Sequence, residues 1–176
     1  MEACRNVEIK ARVASDNVLE NIKNLCDSPP EVIDQADYFF NIPQGRLKLR
    51  SLKNSNKWEL IYYDRPDAEG PRLSDFRKVE VEDGLGLLEV LRCSLGIKGE
   101  VIKRRLLYMY GQTRIHYDKV ENLGTFMELE VVLRKEQTVE EGTAIANDIL
   151  EKLGISKDDF ITCAYMDLIS KALGKT

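Results

Sequence analysis

Asn6-Val7-Glu8-Ile9-Lys10-Ala11-Arg12-Val13 alternates without a break: Val7, Ile9, Ala11 and Val13 are apolar, and Asn6, Glu8, Lys10 and Arg12 are polar. A period of two is the mark of a β-strand with unlike faces. Three of the four polar positions carry charge. The fold turns on where that charged face points: toward bulk water, or into an enclosed polar interior.

Four further stretches repeat the pattern. Arg46, Lys48 and Arg50 share one face of a strand, as do Lys103 and Arg105, and then Arg114, His116 and Asp118. Glu128 and Glu130 alternate with Met127, Leu129, Val131 and Leu133. Strands are also predicted over Asp37–Ile42, Lys57–Tyr63 and Phe76–Glu82 from their aromatic and β-branched content. Helices are predicted over Asn17–Leu25 behind an Asp16 cap, and over Leu85–Leu95 with Gly96 as the closing residue. Another runs from the capping box Thr138-Val139-Glu140-Glu141 to Leu153, and a last from Ser156-Lys157-Asp158-Asp159 to Leu173. Arg65 to Leu73 contains two prolines and a glycine and reads as an exposed loop. With no repeat, linker or low-complexity segment, residues 1–176 read as one α+β domain.

Five strands with charge on one side and aliphatics on the other fit two arrangements. In one, the charges of an ordinary sheet are solvated. In the other, an eight-stranded antiparallel barrel is turned inside out, with a polar lumen and an apolar outer face. Four helices with apolar stripes need an apolar face to cover, and the second arrangement supplies one. A small barrel has an interior that side chains fill or that holds one ligand.

Composition narrows the function. The 176 residues carry 26 Lys and Arg against 30 Asp and Glu, a net charge of −4, so no general affinity for nucleic acid is expected. No apolar run near the length of a membrane span and no signal peptide is visible, so no membrane association is expected. Four scattered cysteines without a C-x-x-C pair read as reduced thiols of a cytoplasmic protein, a monomer or homodimer. His116 is the one histidine, which removes histidine-based metal sites and disfavours a Ser-His-Asp triad; it reads as structural, because phosphate and metal chemistry is complete without it.

Like charges two positions apart on one face repel unless a counter-ion lies between them. Arg46, Lys48, Arg50, Lys103, Arg105 and Arg114 together ask for a polyanion. Glu8, Asp118, Glu128 and Glu130 ask for a hard divalent cation, Mg²⁺ or Mn²⁺. A polyphosphate with a divalent ion satisfies both demands.

These residues resemble the CYTH superfamily, the triphosphate tunnel metalloenzymes, which takes in class IV adenylyl cyclases, thiamine triphosphatases and inorganic triphosphatases. Asn6-Val7-Glu8-Ile9-Lys10 matches two of the three fixed positions of the family's E-x-E-x-K. Gln35-x-Asp37 ahead of a Tyr-Phe pair, Leu47-x-Leu49-Arg50, and Asp118 followed by Gly124-x-Phe126-x-Glu128-x-Glu130 are similar as well. Ser74-Asp75-Phe76-Arg77 resembles the cyclase branch. The resemblance implies a tunnel in which Arg12, Lys48, Arg50, Lys57, Arg77, Lys103, Arg105 and Arg114 hold phosphate. It also implies that Glu8, Asp118, Glu128 and Glu130 hold the metal, and that Lys10 and Glu8 act on the attacking water. Arg46, Lys57 and Arg77 fit a peripheral ion pair equally well. Asn6 departs from the family, which has a carboxylate there. The expected reaction is metal-dependent hydrolysis of an inorganic or organic triphosphate; the alternatives are cyclisation of ATP to cyclic AMP and pyrophosphate, or polyphosphate binding without turnover.

Overall fold

The alternating stretches form strands whose partners are set by the hairpins between them. The computed structural model of the protein describes residues 4–15, 17–64 and 72–172. The Asp16 cap and residues 65–71 of the expected loop lie outside them. The elements run β1 (Cys4–Arg12), α1 (Asn17–Leu25), β2 (Glu31–Phe40), β3 (Arg46–Leu52), β4 (Lys57–Asp64), β5 (Arg72–Val81), α2 (Gly84–Leu95), β6 (Ile97–Tyr110), β7 (Thr113–Val120), β8 (Gly124–Val132), α3 (Val139–Leu153), a 3₁₀ turn (Lys157–Asp159) and α4 (Tyr165–Ala172). β5 starts at Arg72, inside the stretch expected to be loop.

Each strand lies antiparallel to two others, in the order β1-β5-β4-β3-β2-β6-β7-β8, and β8 returns to β1 to close the barrel. The register places the charged residues of adjacent strands side by side. Across the β1–β8 seam Glu8 lies opposite Glu130 and Lys10 opposite Glu128. Across β7–β8, Arg114 lies opposite Glu130 and His116 opposite Glu128. A slip of one residue would send every one of these charges to the other face.

The opposite face of the same strands is the main core. Val7, Ile9 and Ala11 of β1, Ile115 and Tyr117 of β7, and Met127, Leu129 and Val131 of β8 pack with Val18 and Ile22 of α1 and Ala146, Ile149, Leu150 and Leu153 of α3. Fully burying one such Ile, Leu or Val side chain contributes about 1.5–3 kcal/mol. The Thr138–Glu141 capping box opens α3, and left-handed Gly154 closes it. Gly142 lies so close to Val7 and Leu133 that a Cβ would overlap both. α2 lies over β2, β3 and β4.

The C-terminal quarter departs from the expected single helix after Ser156. Ser156 and Asp159 do form a capping box, but it caps a single 3₁₀ turn. The chain then extends alongside β1, with Phe160 bridged to Ala11 and the Ile161 N–H donating to the Lys10 carbonyl at 2.9 Å. The reason lies in β1, whose pairing with β5 extends, among the described residues, to Glu8–Arg72. The rest of that edge has backbone groups to satisfy, and residues 160–161 cover it. α4 then delivers Tyr165 and Met166 to a second apolar cluster with Phe39, Ile61, Tyr63, Val101, Val120 and Phe126. The barrel interior is therefore layered, with a charged middle above an apolar floor. Cys26, Cys93 and Cys163 are free thiols. Among the described residues no helix is long and apolar enough to cross a membrane.

Candidate functional site

The lumen encloses a cavity of about 320 Å³, the size of a small-ligand pocket. Seven cations (Lys10, Lys48, Arg50, Lys78, Lys103, Arg105 and Arg114) and five carboxylates (Glu8, Asp37, Glu59, Glu128 and Glu130) line it among the described residues. The excess of positive charge favours an anionic guest, and the low-dielectric walls strengthen that attraction.

The cations are held in two similar clamps. On β2, Asp37 accepts from Arg50 Nε at 2.7 Å and Nη2 at 2.9 Å, from Lys48 Nζ at 3.0 Å and from Gln35 Nε2 at 3.2 Å. On β7, Asp118 accepts from Arg105 Nε and Nη2, each at 2.7 Å, from Lys103 Nζ at 2.8 Å and from the Tyr165 hydroxyl at 3.0 Å. Burial pushes both carboxyls upward, but the neighbouring guanidinium and ammonium charges win and hold them well below the usual carboxylate range. Burial also lowers Lys48 and Lys103, each with an arginine beside it, to about 8.

The acidic wall is built on β8 and β1. Glu128 takes Arg105 Nη2 at 2.8 Å and Lys10 Nζ at 3.2 Å; Lys10 lies over the Tyr165 ring, 4.0 Å from its centre. Glu130 has Arg114 at 3.5 Å. His116 Nδ1 is 3.8 Å from Glu128 and 3.7 Å from Glu130, beyond hydrogen-bond range. Ligand atoms of His116, Glu128 and Glu130 all lie within 4.8 Å of one another. Burial lowers the His116 pKa and the Arg105 charge lowers it further, outweighing Glu130 and Glu128, which raise it. His116 Nδ1 and Asn6 Oδ1 are both buried without a hydrogen-bond partner.

The residues singled out in the sequence separate into groups. Glu8, Lys10, Lys48, Arg50, Lys103, Arg105, Arg114, Glu128 and Glu130 line the one cavity. Asp118 does not reach it; both its oxygens are engaged by Lys103, Arg105 and Tyr165, which makes it an anchor for those cations rather than an open metal ligand. Arg77 lies opposite Tyr62, on the outer face of β5, because Phe76 and Lys78 take the inner positions. Lys57 lies exposed at the start of β4, one step beyond Glu59 and outside the cavity lining. Arg12 is exposed beside the floor, with its guanidinium 4.9 Å from the Phe126 ring centre. Arg46 pairs with Asp167 of α4 at 3.1 Å.

Several residues of the site carry little signal in the sequence. Lys78, paired with Glu59 at 2.7 Å, sits in a strand with charges on both faces, so its parity was open. Asp37 is embedded among aromatics, and its resemblance to the family pattern was the one pointer to it. Tyr165 reaches the lumen from a helix, and no strand periodicity marks it.

A family model for the CYTH domain matches residues 5–165. A Methanocaldococcus jannaschii protein carrying a provisional adenylate cyclase name is 28% identical over 92% of this chain and 97% of its own length. The solved structure of the PH1012 protein of Pyrococcus horikoshii superposes with a TM-score of 0.83 at 26% identity, over 93% of this chain and 98% of that one. HpAC1 of Hippeastrum, described as an adenylyl cyclase candidate with a dominant triphosphatase activity, shares the fold at a TM-score of 0.67 and 15% identity over 97% of both chains. The closed barrel, its inward-facing ions and the match over most of its length agree: the chain belongs to the CYTH family.

Proposed function

We propose that the protein is a divalent-metal-dependent triphosphatase. The observation that carries this reading is the pairing, in one cavity, of two Lys–Arg clamps with an acidic wall beside them. Lys48 and Arg50 on β3 and Lys103 and Arg105 on β6, the two strands that flank β2, present donors to one elongated polyanion, and Arg114 adds a cation beside Glu130. All are preset by their counter-ions, so little reorganisation is needed when charge develops on the phosphates.

The donor set on the acidic wall fits a divalent ion. Glu128 and Glu130 lie side by side, Glu8 faces Glu130 across the seam, and Asn6 Oδ1 on the same strand is a buried acceptor with no donor. Glu8, Glu128 and Glu130 would hold the ion, which supplies Lewis-acid stabilisation of phosphate oxygens. Lys10, fixed between Glu128 and the Tyr165 ring, is placed to orient a water against the terminal phosphate, and Glu8 to accept its proton.

One feature supports an organic rather than an inorganic triphosphate. Leu52, Ile33 and Leu107 line the cavity from the three adjacent strands β3, β2 and β6. They form an apolar strip beside the phosphate clamps that suits a base or another flat ring. The same strip would seat the adenine of ATP for cyclisation, where the ribose oxygen attacks the α-phosphorus; the provisional cyclase name of the Methanocaldococcus relative favours that second reading.

Incubating the protein with ATP, thiamine triphosphate or tripolyphosphate and Mg²⁺ or Mn²⁺, and resolving the products, tests both. Orthophosphate with the diphosphate product supports the triphosphatase. Cyclic AMP with pyrophosphate replaces it by the cyclase. Binding of every substrate without turnover overturns both in favour of a binding module.

A further inference from the structure

The acidic wall contains a nitrogen donor that a carboxylate-only metal site does not need. His116 is 3% exposed, and its Nδ1 has no hydrogen-bond partner. Its neighbours are engaged: Glu128 by Arg105 and Lys10, Asp118 by Lys103, Arg105 and Tyr165. An orphan polar atom in a buried, otherwise paired cluster marks a missing partner. That atom points between Glu128 and Glu130, at 3.8 and 3.7 Å. Two donors on one first-row ion, each about 2.0–2.2 Å from it, lie roughly 3 Å apart, so a small inward movement of these three side chains would bring them onto one ion.

We infer that His116 Nδ1 is a direct ligand of the divalent ion, with Glu128 and Glu130, and that this nitrogen tunes the site toward Mn²⁺ and Co²⁺ over Mg²⁺. The inference rests on the proposed triphosphate site and adds the ion's coordination and selectivity. Mg²⁺ favours oxygen donors, and imidazole favours borderline first-row ions. Asn6 acts in the same direction. With an amide in place of a carboxylate, the wall loses a negative charge that a hard ion would use, and a nitrogen donor remains opposite Glu128. The nearby cations Arg105, Lys10 and Arg114 compete with the ion for Glu128 and Glu130, which further favours an ion that gains from nitrogen.

The sequence has one histidine, so ¹⁵N-histidine labels a single side chain. Electron spin-echo spectra of the labelled, chelator-treated full chain with Mn²⁺, in a nitrogen-free buffer and with or without tripolyphosphate, are expected to show ¹⁵N coupling. Calorimetry is expected to give Mn²⁺ at least about tenfold tighter binding than Mg²⁺. His116→Gln is expected to remove about tenfold or more of the Mn²⁺ affinity while changing Mg²⁺ by less than about threefold. If the variant does not fold, the spectrum of the unaltered protein decides. Mn²⁺ bound without ¹⁵N coupling overturns this inference and leaves the triphosphate site standing. Coupling in a protein that does not bind tripolyphosphate upholds the ligand and overturns the substrate reading. No Mn²⁺ binding in either condition overturns both.

Discussion

The two clamps use the same parts and differ in depth. In each, an aspartate on one strand gathers a lysine and an arginine spaced two apart on the next: Asp37 with Lys48 and Arg50, Asp118 with Lys103 and Arg105. Around Asp118 the side chains are 0%, 4% and 7% exposed, and around Asp37 they are 4%, 14% and 17% exposed. The deep clamp is further tied to Glu128 through Arg105 and to α4 through Tyr165. The shallow one takes Gln35, from the strand of Asp37 itself, as its further partner. The same motif thus serves as a fixed wall on β6 and β7 and as a more accessible one on the adjoining β2 and β3. The cations are held in place before any substrate arrives, and they are worth most to a guest that can replace their counter-ions.

That difference is open to measurement. Removing the deep counter-ion is expected to have the largest effect. Asp118→Ala leaves Lys103 and Arg105 buried and short of their main anion, and is expected to cost about 3–5 kcal/mol of unfolding free energy in urea. Asp37→Ala should cost less, about 1–3 kcal/mol, because Lys48 and Arg50 can reach water. If the two losses were equal, the distinction between the clamps would fail. Tripolyphosphate should sharpen it: saturating ligand is expected to restore more of the melting temperature of Asp37→Ala than of Asp118→Ala, since an added anion can enter the accessible clamp more easily.

Affinity should follow position. Arg50→Ala is expected to weaken tripolyphosphate binding about tenfold or more, about 1.4 kcal/mol, in calorimetry. Arg77→Ala, on the outer face, should change it by less than about twofold. Equal losses would place Arg77 in the site by a route the barrel does not show. A subtler effect is expected from pH. Lys48, brought down to about 8 by burial and by Arg50, is protonated below that value and neutral above it. Triphosphate prefers the protonated form, so affinity should fall as pH rises through about 8, with proton uptake on binding. Lys48→Arg, which keeps its charge, should flatten that part of the profile. Among the stability changes the smallest is expected for Tyr165→Phe, which removes one hydrogen bond to Asp118 and should cost about 0.5–1.5 kcal/mol.

The barrel was legible in the sequence because alternation is a local property. Asn6–Val13 and Arg46–Arg50 show one charged and one plain face, and the structure folds them that way. Where both faces carry charge, the same rule fails. In Phe76-Arg77-Lys78, parity alone could not choose between Arg77 and Lys78, and it is Lys78 that lines the cavity. The last helix was misplaced for another reason. Ser156 and Asp159 cap a turn correctly, but an unfilled β1 edge some 150 positions away in the chain draws residues 160–161 out of helical geometry. Tertiary demand overrode a sound local signal. His116 reads as structural in the sequence because carboxylates and cations already complete the phosphate and metal chemistry; its unpartnered nitrogen near two glutamates is a fact of packing that spacing cannot display.

The seam between β1 and β8 has a consequence for how the protein comes into being. Glu8 and Lys10 meet Glu130 and Glu128 across it, although about 120 positions separate them in the chain. Contacts of such sequence separation form late and slowly. A nascent chain carries the Lys48–Arg50 strand long before the acidic wall exists to balance it. During synthesis Lys48 and Arg50 already have Asp37 as their counter-ion, whereas Glu8 meets Glu130 only when the ring closes. Completing the acidic wall is therefore expected to be among the last acts of folding.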